Sequence, residues 1–407
     1  MSEKINTRAL SGFVELLPRE QAVFDAARGE IEKIYRNNGY CNMDTPAIER
    51  AETLFAKSAG ETEKQIYRVS HGDTAQALRF DLTIPFARYV ADHYGELVFP
   101  FKRYAIDKVW RGERAQKGRY REFYQADIDA VGEGQLDAAY DADVIATLSS
   151  VVARMCEMFG LGAHKVRLGN RKVWNDAGLA DLPAALALLD KRLKMSEEEF
   201  EAALSKLPDA AKVRKVLGRG GADCDDLQRA VELLRAAGVP FEVDLSIVRG
   251  LDYYTGNVFE TFIEGYESVG SVASGGRYDN LCSHFIDKNI VGVGGSFGLT
   301  RFLAPLIGSG KGPAALALDA VILPMGERHY AAAMKLERMI AKRARASAMF
   351  VSGKLKKLLE KADKLGARYA IIIGDDEAAA GECTLKNMQS GEQKRLGMDA
   401  AAAEVSK

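Results

Sequence analysis

No stretch of the 407 residues approaches the ~18 uninterrupted apolar residues of a membrane-spanning helix, so no membrane partner is expected. Cysteine is scarce. Cys41, Cys156, Cys224, Cys282 and Cys383 stand alone, odd in number and without a C-x-x-C, which argues for reduced thiols rather than a disulfide framework. His71, His93, His164, His284 and His329 are equally scattered, so zinc-ligand spacing is missing and no metal-ligand set is expected. Charge of one sign is missing too, with a net of −1, which excludes a protein coated in positive charge. The glycine run in "IVGVGGSFGLTRF" does not follow G-x-G-x-x-G and has no βαβ unit with a following acid, which argues against a dinucleotide fold. The amino-terminal "MSEKINTRALSGFVELLPRE" has no apolar signal core, so a cytoplasmic location is expected.

What is present is an ordinary globular composition, 47% apolar and 28% charged, in a chain long enough for two or three domains. Charge is locally uneven. From Lys335 to Arg368 eleven Lys or Arg face only Glu337, Glu360 and Asp363. Such a run is either a solvated helix face or a phosphate-binding surface.

The periodicity predicts a helix over 18–40 with Pro18 in its first turn and Asn37-Asn38-Gly39 closing it. "YCNMDTPAIE" reads as a short extended segment stopped by Pro46, and Leu78 to Val90 turns from strand to helix at Thr83-Ile84-Pro85. Residues 98–131 predict a long β-hairpin whose tip carries Arg114, Lys117 and Arg119. A helix follows over 137–158. Residues 166–240, rich in Ala, Leu, Lys and Glu, predict an inserted helical section, with a Ser196/Glu199 capping box. β-rich sequence resumes over 241–301. "GSGKGP" (308–313) predicts a linker, which leaves 1–312 as one domain and 313–407 as a small α/β domain.

The residues suited to chemistry cluster in four places. Arg111 and Glu113 end the first hairpin strand, while Gln125, Asp127 and Asp129 share one face of the second, with Phe123 on the same side. Polar side chains repeated along one face suit either a solvent-facing sheet or a pocket floor. Asp81, between Phe80 and Leu82, is costly unless it meets a cation, whether a ligand's ammonium or an internal Arg. "VRGLDYYTGNVFE" (248–260) sets Arg and Asp among strand formers beside a Thr-Gly turn, as a bulged strand or a pocket wall would. "GGSFGLTRF" places Arg301 on the helix that follows its glycines.

Taken in order, these segments resemble the histidyl-tRNA synthetase family of class II aminoacyl-tRNA synthetases over nearly the whole chain. "RGLDYYTG" and "SGGRYDNL" resemble its two histidine-specific signatures. "YCNMDTPAIE", "VWRGERAQKGRYREFYQADID" and "GGSFGLTRF" resemble class II motifs 1, 2 and 3. The resemblance implies an α+β fold: a six-stranded antiparallel sheet flanked by helices, an inserted helical section and a C-terminal α/β anticodon-binding domain. It implies a homodimer with motif 1 at the interface, and a ligase that uses ATP, Mg2+, histidine and tRNA(His). By the same resemblance, Arg111 and Arg249 are the catalytic pair at the α-phosphate. Glu113, Arg119, Phe123 and Arg301 join Arg111 in holding ATP. Asp81, Thr83 and Gln125 hold the ammonium of histidine. Asp129 and Tyr254 hydrogen-bond its two imidazole nitrogens, Tyr278 closes the pocket, Tyr253 joins the histidine-binding residues, and Arg249 meets its carboxylate and the α-phosphate. Asp81 and Thr300 stand where relatives often carry Glu. "RARASAMFVSGKLKK" lacks a clear apolar strand before "KLKK". The rival reading is a silent paralogue serving as the regulatory subunit of ATP phosphoribosyltransferase, which normally loses the signatures and the C-terminal domain. Asp252 has no role beyond pairing with a neighbouring Arg.

Overall fold

The computed structural model describes the chain except residues 1–4, 56–60, 115–117, 193–194, 222, 249–253, 311–317 and 352. Its contacts divide into two units, one of residues 1–15 and 27–311, the other of 16–26 and 312–407.

Alternating and β-branched segments of the first unit build one large sheet. Its strands are β1 (Cys41–Asn42), β5 (Phe101–Trp110), β6 (Glu122–Glu133), β7 (His164–Asn170), β8 (Phe241–Val243), β9 (Asn257–Ile263), β10 (Ala273–Tyr278) and β11 (Ile290–Phe297). They lie in the order β1-β5-β6-β11-β10-β9-β7-β8. Every pairing from β5 to β7 is antiparallel. Only the short edge strands, β1 on β5 and β8 on β7, run parallel to their neighbours. The expected six-stranded antiparallel sheet is therefore the body of a sheet with a short parallel strand at each edge. A smaller sheet of β2 (Ile48–Arg50), β3 (Arg68–Val69) and β4 (Gln76–Leu78) feeds the helix Thr83–Asp92.

One face of the large sheet is covered by the helix Ala139–Phe159, whose Leu148 occupies the space a side chain at Gly295 would need, 2.6 Å from its Cβ position. Between β7 and β8 the described residues include the α-helices Arg171–Asn175, Leu182–Leu189, Glu197–Leu204, Ala210–Arg219 and Asp225–Ala236. Residues 164–170 belong to the sheet because they pair with β9, so the helical section starts at Arg171. Ser196 and Glu199 form the capping box reciprocally, at 3.2 and 2.9 Å.

The second unit carries a five-stranded sheet, β13-β12-β14-β15-β16, from β12 (Ala320–Pro324), β13 (Ala346–Ala348), β14 (Tyr369–Ile373), β15 (Glu382–Asn387) and β16 (Gln393–Gly397). Alternate residues of β12 and β14 bury on opposite faces. Ile322, Ile371 and Ile373 pack with Leu336 and Val405, while Val321, Leu323 and Ile372 pack with Leu358 and Ala362. "RARASAMF" does carry a strand, Ala346–Ala348, three residues paired parallel with β12. Pairing supplied by the neighbouring strand outweighs weak local propensity.

Candidate active site

The second hairpin strand, β6, lays Gln125, Asp127 and Asp129 on one face, as the period of two requires. Antiparallel register fixes what each one faces. Asp129 is flanked by Arg103 on β5 and Gly294 on β11; Asp127 is flanked by Ala105 and Ser296. The Arg103 guanidinium, fully buried, meets Asp129 Oδ2 at 2.8 Å and donates to the Leu82 carbonyl at 2.8 Å. It also lies over the Phe86 ring, 4.5 Å from its centroid. The Tyr278 hydroxyl donates to Asp129 Oδ1 at 2.6 Å.

Glycines make this crowding possible. A Cβ at Gly294 would stand 2.0 Å from Asp129 Oδ1, and one at Gly292 would stand 2.3 Å from the Tyr278 ring. A Cβ at Gly276 would come within 2.7 Å of the Tyr254 ring. The glycine run of β11 thus serves close packing, and Tyr254 and Tyr278 share one buried cluster with Ile84 and Phe86.

Asp81 sits just before the helix Thr83–Asp92, where its Oδ1 accepts from the Ile84 N–H at 3.0 Å. Its Oδ2 is buried and has no hydrogen-bond partner among the described residues. Burial raises the Asp81 pKa, opposed by the Ile84 N–H and by the nearby Arg111 charge. Gln125 Nε2 donates to Ser296 Oγ at 2.8 Å, and its Oε1 is likewise buried without a partner among the described residues. Burial holds the Asp127 carboxyl up to about 7, against the lowering effect of Arg103. Asp129 is also raised, first by burial, with Arg103 and the Tyr278 hydroxyl opposing. Three buried carboxyls therefore share a region where Arg103 is the internal cation. Three carboxyls against this one cation, with Asp81 Oδ2, Gln125 Oε1 and Asp127 Oδ1 all lacking a hydrogen-bond partner among the described residues, favour a cationic ligand.

The rim has the opposite sign. Arg111 continues the hairpin past β5, donating its backbone N–H to the Arg121 carbonyl at 2.9 Å and its Nε to the Phe80 carbonyl at 3.0 Å. Its guanidinium lies over the Phe123 ring, 5.2 Å from the centroid. Glu113 and Arg119 pair with each other at 3.1 Å across the hairpin loop, and Arg121 donates to the Glu113 carbonyl at 3.1 Å. Arg301, in the first turn of the helix Leu299–Gly308, donates its Nε to the Val269 carbonyl at 2.9 Å. Gly270 has φ 73°, and a Cβ there would stand 3.0 Å from that guanidinium. Thr300 accepts from the Tyr124 N–H at 2.8 Å, tying this helix to the start of β6.

Asp81, Gln125 and Asp129 meet on the floor, with Thr83 opening the adjoining helix and Tyr278 bonded to Asp129. Arg249, Asp252, Tyr253 and Lys117 lie outside the described residues. The sequence reading did not single out Arg103, Ser296 or a buried network beneath the signature strands. In that network Arg277 pairs with Asp141 at 2.8 Å, Asn257 donates to Asp141 at 2.8 Å, and Asn170 donates to Asn257 at 2.7 Å. Lys172 also pairs with Asp226, so helices of the inserted section join the same polar cluster. Asn170 and Asn257 inside strands were the only local signal.

A family model described as histidyl-tRNA synthetase matches residues 12–182 and 171–302. The chain is 40% identical to the histidine--tRNA ligase of Clostridium acetobutylicum, over 98% of this chain and 100% of that one. It belongs to the histidyl-tRNA synthetase family. A model described as an anticodon binding domain matches residues 319–407. The Clostridium tetani histidine--tRNA ligase is 37% identical, over 96% of each chain. Among solved structures, the histidyl-tRNA synthetase of Nostoc sp. PCC 7120 superposes with a TM-score of 0.84 at 32% identity, covering 99% of both chains. The family accounts for the α+β architecture and for the C-terminal module.

Proposed function

We propose that this chain activates histidine with ATP and transfers it to the 3′ end of tRNA(His). The observation that carries this reading is the floor, where the buried acceptors Asp81 Oδ2, Gln125 Oε1 and Asp127 Oδ1 have no hydrogen-bond partner among the described residues, below a rim of arginines. A ligand with a cationic ammonium at one end and anionic carboxylate and phosphates at the other matches both signs. Asp81, Thr83 and Gln125 take the ammonium. Asp129 and Tyr254 take the imidazole nitrogens, Tyr278 closes the pocket, and Tyr253 is counted with the histidine-binding residues. Arg111 and Arg249 hold the α-phosphate and the histidine carboxylate. Glu113, Arg119, Phe123 and Arg301 hold the rest of ATP.

The carboxylate oxygen attacks the α-phosphorus and pyrophosphate leaves. A terminal ribose hydroxyl of the tRNA then attacks the acyl carbon and AMP leaves. Two anions meet in the first step, and each preplaced donor on the developing charge is typically worth ~3 kcal/mol. Among the described residues no group of three or more His, Cys, Asp or Glu is gathered to hold a metal ion. Mg2+ held by the ATP phosphates would assist pyrophosphate departure. A site whose polar groups pair with its ligand rejects analogues lacking those groups by ~10⁴ or more.

The basic second unit and its anticodon-domain match support tRNA as the partner. We place the protein in the cytoplasm as a homodimer, with motif 1 (β1 at the sheet edge and the half-exposed Ile48 beyond it) at the interface. No helix among the described residues is long and apolar enough to cross a membrane. The regulatory-paralogue alternative is not favoured, because the relatives named as ligases match over nearly the full length. ATP–pyrophosphate exchange measured against all twenty amino acids tests the reading. Exchange is expected with histidine alone; exchange that proceeds equally without histidine overturns it.

A further inference from the structure

The ladder between β9 and β10 ends at Val258↔Gly276, and Tyr254 lies before that point, outside the strand. Strand pairing therefore does not fix the tyrosine assigned to the imidazole. Side-chain contacts join the two segments instead. The Thr255 N–H donates to the Arg277 carbonyl at 2.8 Å. The Thr255 hydroxyl donates to Asp279 Oδ2 at 2.6 Å and accepts from the Asp279 N–H at 3.2 Å. Its one proton goes to the carboxylate rather than to the Arg277 carbonyl, which stands farther away at 3.4 Å. Asp279 Oδ1 also stands 3.6 Å from Arg277 Nη1. Each half of this lock adjoins a pocket residue, since Thr255 follows Tyr254 and Asp279 follows Tyr278.

We propose that Thr255 and Asp279 are positioning residues that set the spacing between the two imidazole partners, Asp129 and Tyr254. The inference rests on the histidine-activating reading and deepens it, because it names what holds the side-chain selectivity in place. Asp129 is tied to Tyr278 by the 2.6 Å hydroxyl contact. Tyr278 is followed by Asp279, Asp279 is bonded to Thr255, and Thr255 is preceded by Tyr254. The lock thus closes a continuous path from one imidazole partner to the other. A hydroxyl bonded to a carboxylate is charge-assisted, and a β-branched side chain held at its hydroxyl has no second rotamer to adopt. The Tyr254 ring lies against Gly276, whose Cβ position is 2.7 Å from it, so a small backbone shift at Thr255 has no room to be absorbed there. The shift is passed to the far end of the ring, where the hydroxyl meets the ligand.

The lock acts on one substrate, which makes it testable by ATP–pyrophosphate exchange on the full-length protein, with KM measured for histidine and for ATP. Thr255→Val keeps the shape and removes the hydroxyl, while Thr255→Ser restores it. Thr255→Val is expected to raise KM for histidine about tenfold, as loss of a hydrogen bond to a charged group does, and to leave KM for ATP within about twofold. Thr255→Ser is expected to recover most of that loss. Asp279→Ala, at a partly exposed position, is expected to repeat the histidine effect and decides the question where Thr255→Val does not fold. The double variant is expected to be no worse for histidine than the more damaging single variant, since both break one contact. Equal rises in both KM values, an unchanged KM for histidine, no recovery in Thr255→Ser, or additive losses in the double variant would each overturn the lock. A wild-type protein without histidine-dependent exchange would instead sink the histidine-activating reading.

Discussion

At the scale of single residues, the floor depends on groups that are absent as much as on groups that are present. A methyl at Gly294 would sit 2.0 Å from Asp129 Oδ1, so Gly294→Ala must displace that carboxylate from both Arg103 and Tyr278. We expect histidine-dependent exchange to fall at least a hundredfold, through KM for histidine more than for ATP, in steady-state kinetics. Asp127 gives a prediction with a sign in pH. Its carboxyl is held up to about 7, above the ~3.9 of an unfolded chain. The folded protein therefore binds more protons than the unfolded one between those values, and stability falls as pH rises through that window. Above about pH 7 the cost is complete and approaches ~4 kcal/mol. Asp127→Asn should raise the melting temperature at pH 8, with the gain shrinking toward pH 4; a constant gain across this range would contradict the assignment. Asp81 and Asp129 were legible in the sequence because acids inside apolar strands demand explanation. Arg103 was not, because its partner is chosen by the register of a strand 26 residues away in the chain.

At the scale of elements, the hairpin was legible because two long segments alternate around a polar loop, and ladder pairing from Phe101↔Val131 to Trp110↔Glu122 follows. The start of the helical section was not. "VRLGN" is short and carries Arg, Gly and Asn, and only pairing with β9 makes it a strand. The network beneath β9 and β10 is likewise an inter-element fact. Arg277 and Asp141 are both buried, so removing one partner leaves an uncompensated charge. Arg277→Met should cost roughly 3–5 kcal/mol in urea unfolding, and Arg277→Met/Asp141→Leu should recover much of that loss. If the double variant is no more stable than the single one, the cost does not come from the stranded charge.

At the scale of the whole molecule, the anticodon-domain match falls within the second unit, over residues 319–407. On the helix Leu355–Lys364, Leu358 and Ala362 bury against the second sheet while Lys356, Lys357 and Lys361 stand exposed with no ion-pair partner among the described residues. Replacing all three by Glu should leave histidine-dependent pyrophosphate exchange within about twofold. The same variant should raise KM for tRNA tenfold or more in aminoacylation and reduce the log–log salt slope by roughly two. Equal loss of both activities would argue against a tRNA role confined to this face. The sequence by itself determined most of the order of elements and the positions of the ordered motifs, because these rest on local periodicity and on residue types at fixed spacing. Tertiary structure alone decided that Arg103 pairs with Asp129, that Ser296 accepts from Gln125, and that glycines on β10 and β11 open space for Tyr254, Tyr278 and Asp129. Those facts depend on strand register, which joins residues distant in sequence and has no local code.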